Sequence, residues 1–324
     1  MFDAIELKSL KDIEIVTLLI DIHNRELENQ ESGIRQKIRE YTVSSCVTRL
    51  YAIIENFIET VISDYLDELA ELVSFSSLPD ELKNEYRIGF SYILSKIEQG
   101  RFDHLNHENV VEWYYEAIKD TAHYRFINEA LTRHEQNFRL NIIESTFNKV
   151  QLKDFSSWLC KHPKIIELYA EDSSIHEQLE SEIKGFVQLR NDASHGTIDN
   201  LEGDDNLKRF CELNTAMIHA ISSFMRKSLI TKQLEIGHLS ESGLVTEIFH
   251  RNASFVAQFK SGVILRKGDR LIILESCDCY YEKIDSIMDN DNSVDEIRIE
   301  TDDYEVGLKL SKLVKNKAKI FNLN

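Results

Sequence analysis

The spacing of the apolar residues divides the chain into a helical part and a part that alternates like β-strands. Up to about residue 232 the apolar residues recur every three or four positions, most clearly over residues 41–72, as a helix with one buried face requires. After about residue 236 glycines become more frequent, and apolar residues alternate with polar ones, as in residues 296–301. We therefore predict an α+β multidomain protein, with an all-α helical bundle over residues 1–235 and a small β-barrel over residues 236–324.

The charge balance and the cysteines limit the functions that the chain can have. A formal net charge of −18 at pH 7 argues against a general nucleic-acid coat protein, because phosphate binding depends mainly on Lys and Arg. An enzyme that concentrates positive charge in a local cleft is compatible with this charge. The five cysteines are scattered, the N-terminus lacks the pattern of a signal peptide, and no apolar run approaches the roughly 20 residues that span a bilayer. We expect a cytoplasmic protein without a membrane segment, a metal or another cofactor.

One segment combines residue types that suit RNA cleavage. An amphipathic helix predicted over residues 174–194 ends in the sequence Arg190-Asn191-Asp192-Ala193-Ser194-His195. RNA is cut without a metal ion when its own 2′-hydroxyl attacks the adjacent phosphorus, which requires a base, an acid and positive charge. Histidine titrates near neutral pH and serves as base or acid, whereas arginine stays charged and grips phosphate with two donors. We predict Arg190, Asn191 and His195 as catalytic residues, with Asp192 in support. The alternative is that Arg190 and His195 only complement the dipole of a helix C-terminus.

This segment resembles the motif of HEPN domains, which are helical bundles. Their motif is an Arg, often followed by a polar residue such as Asn, and a His after a gap of four to six residues. Four residues separate Arg190 from His195, and the motif precedes one last long helix over residues 204–232. The chain is most similar to the MAE-type group of bacterial HEPN ribonucleases, in residues 51–58 and in the turn at residues 134–138. The resemblance covers about residues 35–230.

The resemblance implies a metal-independent RNA endonuclease that works as a homodimer. It also implies a toxin or antiphage-defence effector that cuts tRNA, mRNA or rRNA and that an antitoxin or regulatory partner restrains. The alternative is a non-catalytic HEPN module that dimerises and binds RNA or a protein.

Helix geometry gives an independent reason to expect a dimer. Residues five apart on an ideal helix differ in direction by about 140°, while residues four apart nearly align. Asn191 and His195 should therefore share a face, and Arg190 should point elsewhere. A single copy makes a poor site unless the helix end is distorted, but two copies facing across a two-fold axis could converge on one phosphate. We predict a homodimer with His195 of both subunits near the axis.

Glu55 is a further candidate, on the apolar side of the early helix. It lies in line with Tyr51, Ile58 and Ile62, where a carboxylate needs a partner. Our hypothesis is that this partner is Arg190. The alternative is that Glu55 lies at the rim of the apolar stripe and reaches water.

Residues 243–324 resemble the small β-barrel that forms domain two of translation GTPases. The resemblance rests on residues 243–249, on the turn Lys267-Gly268-Asp269 between two strands, and on the step Val306-Gly307. It implies contact with tRNA or ribosomal RNA, and in a third interpretation this barrel is the working part of the protein, as an adaptor. Five lysines would supply a basic strip for RNA, the alternative being a solvated terminal strand. These lysines are Lys309, Lys312, Lys315, Lys317 and Lys319.

Overall fold

The computed structural model describes residues 2–27, 31–121, 123–169, 174–195, 204–249 and 253–322. The chain divides into two compact units, residues 1–225 and residues 226–324. None of the described helices is both long enough and apolar enough to cross a membrane.

All regular secondary structure in the described part of the first unit is helical. In chain order they are α1 (Asp3–Leu27), α2 (Ser32–Leu72), α3 (Asp80–Lys96), α4 (His107–Ile118), α5 (Asn128–Thr132), α6 (Leu140–Lys149), α7 (Phe155–Lys161), α8 (Pro163–Ile166), α9 (Ile175–His195) and α10 (Asp204–Glu235), with short 3-10 turns at Phe75–Ser77 and Gly100–Phe102. The boundary between the two units falls within α10.

Helix α2 is the centre of the helical unit. It is 41 residues long, which corresponds to about 60 Å of helix, and it packs against α1, α5 and α9. The apolar residues that recur at helical spacing along it, from Val47 to Tyr65, are buried. Helices α3 and α5 approach so closely that a Cβ atom at Gly89 would collide with the carbonyl oxygen of Ala130. The packing of this unit therefore follows from the apolar stripe read from the sequence and from one small residue at a helix crossing.

Antiparallel strands form the second unit. They are β1 (Gly243–Phe249), β2 (Ser254–Phe259), β3 (Ile264–Arg266), β4 (Arg270–Leu274), β5 (Cys279–Lys283), β6 (Ser286–Asp289), β7 (Asn292–Val294), β8 (Glu296–Arg298), β9 (Tyr304–Lys309) and β10 (Lys319–Asn322). Eight of them form a curled sheet in the order β5-β4-β10-β1-β2-β9-β6-β7, and β3 pairs with β8.

The α+β fold class, with helices first and strands after them, is confirmed. The sheet is a half-barrel, because its terminal strands β5 and β7 do not pair with each other in the described structure. The predicted turn between two strands is present, and Gly268 has a φ of +90°, a conformation that glycine adopts without strain. The flanking strands β3 and β4 do not pair with each other, since β3 pairs with β8 while β4 pairs with β5 and β10. Residues of this sheet share one apolar core, which includes Phe255, Phe259 and Ile273.

Candidate active site

The guanidinium of Arg190 is held by neutral groups from three segments. Its Cζ atom lies 4.6 Å from the ring centroid of Tyr51 in α2. Its Nη1 donates to Oδ1 of Asn191 at 3.2 Å and to Oδ1 of Asn137 at 3.4 Å. The amide Nδ2 of Asn137 also donates to Oδ1 of Asn191, at 2.8 Å. Among the described residues, the acceptors of Arg190 are thus amide oxygens and not carboxylates, so its positive charge is not neutralised by an ion pair.

The Nε donor of Arg190 is buried and has no hydrogen-bond partner within the described parts of the chain. A buried donor without an acceptor costs about 1–3 kcal/mol, and such groups are rare in native proteins. An anionic oxygen that reached this guanidinium would meet a positive charge that no carboxylate among the described residues neutralises.

His195 is the last residue of α9, and its side chain is exposed. The helix end that carries it is tied down, since Ser194 Oγ donates to the carbonyl of Arg190 at 2.9 Å and Ser44 Oγ donates to the carbonyl of Ala193 at 3.4 Å. In the described structure no hydrogen bond or ion pair joins His195 to Arg190. The structure therefore presents the histidine to solvent and the arginine to the interior side of the same helix.

The other members of the motif occupy different positions. Asn191 is half-buried and forms hydrogen bonds with both Asn137 and Arg190. The expectation that Arg190 points away from Asn191 therefore does not hold for the guanidinium of Arg190. The Arg side chain is long enough to reach back across the helix surface. Asp192 accepts from Gln188 Nε2 at 2.8 Å, and in the part of the chain that the structure describes no hydrogen bond or ion pair joins it to Arg190.

Glu55 has partners other than the predicted one. Its Oε1 lies 3.4 Å from the hydroxyl of Tyr51 and 3.8 Å from Nε2 of His134. No ion pair with Arg190 forms in the described part of the chain, because Tyr51 stands between them, with its hydroxyl near Glu55 and its ring under the guanidinium. The hypothesis of a Glu55–Arg190 pair is therefore wrong.

Tyr51 links the two sides of the site. Its hydroxyl accepts from the backbone N–H of Phe138 at 3.0 Å and can donate to Oδ1 of Asn137 or to Oε1 of Glu55, each at 3.4 Å. Burial raises the pKa of Tyr51 to about 12, so the phenol stays protonated at neutral pH and keeps its donor. From the sequence, Tyr51 is predicted as part of the apolar stripe and Asn137 as part of the turn at residues 134–138. Both lie in segments that carry the family resemblance, but neither is predicted as a site residue.

His134 anchors the turn that carries Asn137. Its side chain is 8 % exposed, and its Nε2 lies 3.1 Å from Oε1 of Glu59 in α2. Its Nδ1 lies 2.9 Å from the carbonyl oxygen of Gln136. Arg101 Nη2 donates to the same oxygen of Glu59 at 2.9 Å. These contacts pin residues 134–138 to α2, and Asn137 is thereby placed beside Arg190.

Three of the five candidate lysines of the second unit are engaged in ion pairs. The Nζ atoms of Lys312, Lys315 and Lys319 lie 2.8 Å from Asp278, 3.4 Å from Glu275 and 2.8 Å from Glu241, respectively. These acids cancel much of the positive charge that a basic strip for RNA would need. In the described residues no group of three or more His, Cys, Asp or Glu side chains could hold a metal ion.

Comparison with known proteins adds one match over most of the first unit. A family model described as RiboL-PSP-HEPN matches residues 10–227. A search of curated proteins finds no match. Among solved structures, the C-terminal domain of a Geobacillus thermoleovorans protein assigned to the U32 peptidases has 20 % sequence identity and a TM-score of 0.23, covering 26 % of this chain and 92 % of that chain. Its selenomethionine variant has 19 % identity and the same TM-score, covering 26 % and 99 %. Similarity at this level says nothing about activity.

Proposed function

Because the chain belongs to the RiboL-PSP-HEPN family, we propose that it is a metal-independent RNA endonuclease that acts as a homodimer. The family match confirms the predicted HEPN domain, while the likeness to the MAE-type group and to domain two of translation GTPases stays a prediction. The observation that carries the proposal is the state of Arg190, a guanidinium with neutral acceptors and a buried donor without a partner. An exposed histidine, His195, follows it about 7.5 Å further along the helix axis.

The chemistry follows from these two side chains. A base takes the proton of the 2′-hydroxyl, the 2′-oxygen forms a bond to the adjacent phosphorus, and the bond from phosphorus to the 5′-oxygen breaks. An acid then gives a proton to the leaving 5′-oxygen, so the products are a 2′,3′-cyclic phosphate and a 5′-hydroxyl. His195 acts as base or acid, and Arg190 binds the non-bridging oxygens as their negative charge grows. Asn137 and Asn191 position Arg190.

A dimer supports this scheme because one copy holds one His195, whereas the reaction needs a base and an acid. Two copies related by a two-fold axis would supply two histidines to one phosphate. We further propose that in the cell the protein is a toxin or antiphage-defence effector. It would cut tRNA, mRNA or rRNA, and an antitoxin or regulatory partner would restrain it.

The test is cleavage of total RNA by the purified full-length protein in EDTA, with the cut sites and end groups mapped. We expect cyclic-phosphate ends and a dimer in sedimentation. Arg190→Ala and His195→Ala should each lower the rate by roughly 10²- to 10⁴-fold. His176→Ala is the matched control, because His176 is an exposed histidine in the first turn of the same helix, and it should leave the rate unchanged.

A His195→Ala protein that still cuts RNA at the wild-type rate would contradict the proposal, and so would products with 5′-phosphate ends. Wild-type protein that binds RNA without cutting it would favour the non-catalytic HEPN module.

A further inference from the structure

A cleft of about 330 Å³ lies beside the contact between Glu59 and His134. Helix α2 lines it with Asn56, Glu59, Thr60 and Ser63, which share one helix face. The segment after α3 contributes Arg101 and His104, and α5 contributes Glu129. This volume is at the lower end of the range for small-molecule sites, about 300–1,000 Å³, so it suits a single nucleotide rather than a duplex.

The two carboxylates of the cleft have partners at one oxygen only. Oε1 of Glu59 accepts from Arg101 at 2.9 Å and lies 3.1 Å from His134. Oε1 of Glu129 lies 2.6 Å from Nε2 of His104. Both carboxylates are about one-third exposed, at 33 % and 32 %, and no hydrogen bond within the described residues reaches their Oε2 atoms. Each therefore keeps an oriented acceptor for a donor that enters the cleft.

The remaining walls suit a flat ring and a phosphate. Tyr92 is half-buried and supplies aromatic surface, on which an unstacked RNA base can pack. Tyr92 and Arg133 also line an adjoining cleft of about 290 Å³, which contains His134 and Lys149. A nucleotide whose base occupies the first cleft would thus have its phosphate near Arg133 and Lys149 in the second, where Arg133 is also paired with Glu85 at 3.2 Å.

We propose that the 330 Å³ cleft binds an unstacked guanine of the RNA, whose donor edge faces Glu129 and Glu59. Guanine presents two adjacent donors, N1–H and the N2 amine, which match Oε2 of Glu129 and the second lone pair of its Oε1, an oxygen that has His104 as its one partner among the described residues. Adenine and cytosine present only an amine beside ring acceptors, and the N3–H of uracil is flanked by two carbonyls that repel a carboxylate. The inference rests on the proposed ribonuclease function for the identity of its ligand.

The cleft is connected to Arg190 by a short series of contacts. Glu59 holds His134, His134 begins the turn that carries Asn137, and Asn137 contacts Arg190. A guanine that orders Glu59 would steady this turn, and cleavage would then favour phosphates near guanine.

The test is an NMR titration of full-length His195→Ala protein with each of the four nucleoside monophosphates. The same titrations are made with the double variant that also carries Glu129→Gln, and the affinities are compared. We expect GMP to bind more tightly than AMP, CMP and UMP. Glu129→Gln should weaken GMP binding by about 10- to 100-fold, because it keeps the shape of the side chain but removes its charge and one acceptor oxygen. Glu112→Gln is the matched control at an exposed position of α4, and it should have no effect. Resonances of unperturbed regions report whether each variant is folded.

Equal binding of all four nucleotides, no GMP binding, or GMP binding that Glu129→Gln leaves unchanged would overturn the inference. The outcome is separable from that of the proposed function. Glu129-dependent GMP binding by a protein that never cuts RNA would support the guanine site and contradict the proposed ribonuclease activity. RNA cleavage without a preference for guanine, combined with absent GMP binding, would support the ribonuclease activity and contradict the guanine site.

Discussion

Replacing Asn137 by Asp tests whether the activity depends on neutral acceptors around Arg190. The change keeps the shape of the side chain and turns an amide into a carboxylate 3.4 Å from Nη1 of Arg190. At an effective dielectric constant of about 20, two unit charges at that distance attract each other by about 5 kcal/mol before desolvation is subtracted. If one-third of this, about 1.6 kcal/mol, is lost from phosphate binding in the transition state, kcat/KM falls about 15-fold.

Stability should respond in the opposite sense. Asn137→Asp loses the 2.8 Å donor bond to Asn191, a net loss of about 1 kcal/mol, and gains the new attraction to Arg190. Its free energy of unfolding should therefore stay close to that of the wild type, or rise. Asn137→Ala loses the amide without compensation, so it should lower the free energy of unfolding by about 1–2 kcal/mol and also lower the rate, because Arg190 loses an acceptor.

The assay is kcat/KM on a short RNA together with chemical denaturation of each variant. Gln136→Asp is the matched control, because it adds the same charge at an exposed position one residue away, and it should change kcat/KM little. An Asn137→Asp protein that is folded and fully active would show that the activity does not depend on neutral acceptors around Arg190. An equal loss in Gln136→Asp would show that general charge repulsion of RNA, and not the neutrality of the clamp on Arg190, is responsible.

Three further predictions concern stability. Gly89→Ala should lower the free energy of unfolding by about 1–3 kcal/mol in a denaturant titration, because the added Cβ would meet the carbonyl of Ala130; an unchanged value would mean that α3 shifts freely. Glu275→Gln should destabilise the second unit by about 1–3 kcal/mol, because this carboxylate, from a residue 8 % exposed, accepts from the hydroxyl of Tyr280 at 2.9 Å and from the backbone N–H of Lys315 at 3.0 Å. The same change at exposed Glu300 should have little effect. Folding raises the pKa of Tyr51 from 10.0 to about 12, so its protonated form is favoured in the folded state. The stabilisation that the protonated Tyr51 contributes to the folded state is complete below pH 10 and is lost as the pH rises through about 12. The free energy of unfolding should fall over this interval, and Tyr51→Phe should make the fall smaller; an equal fall in that variant would contradict the assignment.

Local periodicity determined the architecture. A helix must bury one face and a strand must bury alternate residues, so the apolar pattern identified α2, α9 and the change to β-structure without any knowledge of distant contacts. The same local pattern placed Arg190 and His195 at the end of one helix. Closure of the strands was not determined in this way, since β3 and β4 flank the predicted turn but pair with different partners.

The surroundings of Arg190 were decided by the tertiary structure alone. Asn137 lies 53 residues from Arg190 in the chain and belongs to a turn without periodicity, so no local pattern connects the two. The prediction that Glu55 pairs with Arg190 was wrong for the same reason. The position of the Tyr51 ring next to Arg190 depends on how α2 and α9 pack together, and no local pattern shows it. Hydrophobic burial is read from spacing along the chain, whereas hydrogen bonds among a few polar groups depend on where folding brings remote side chains to within about 3 Å.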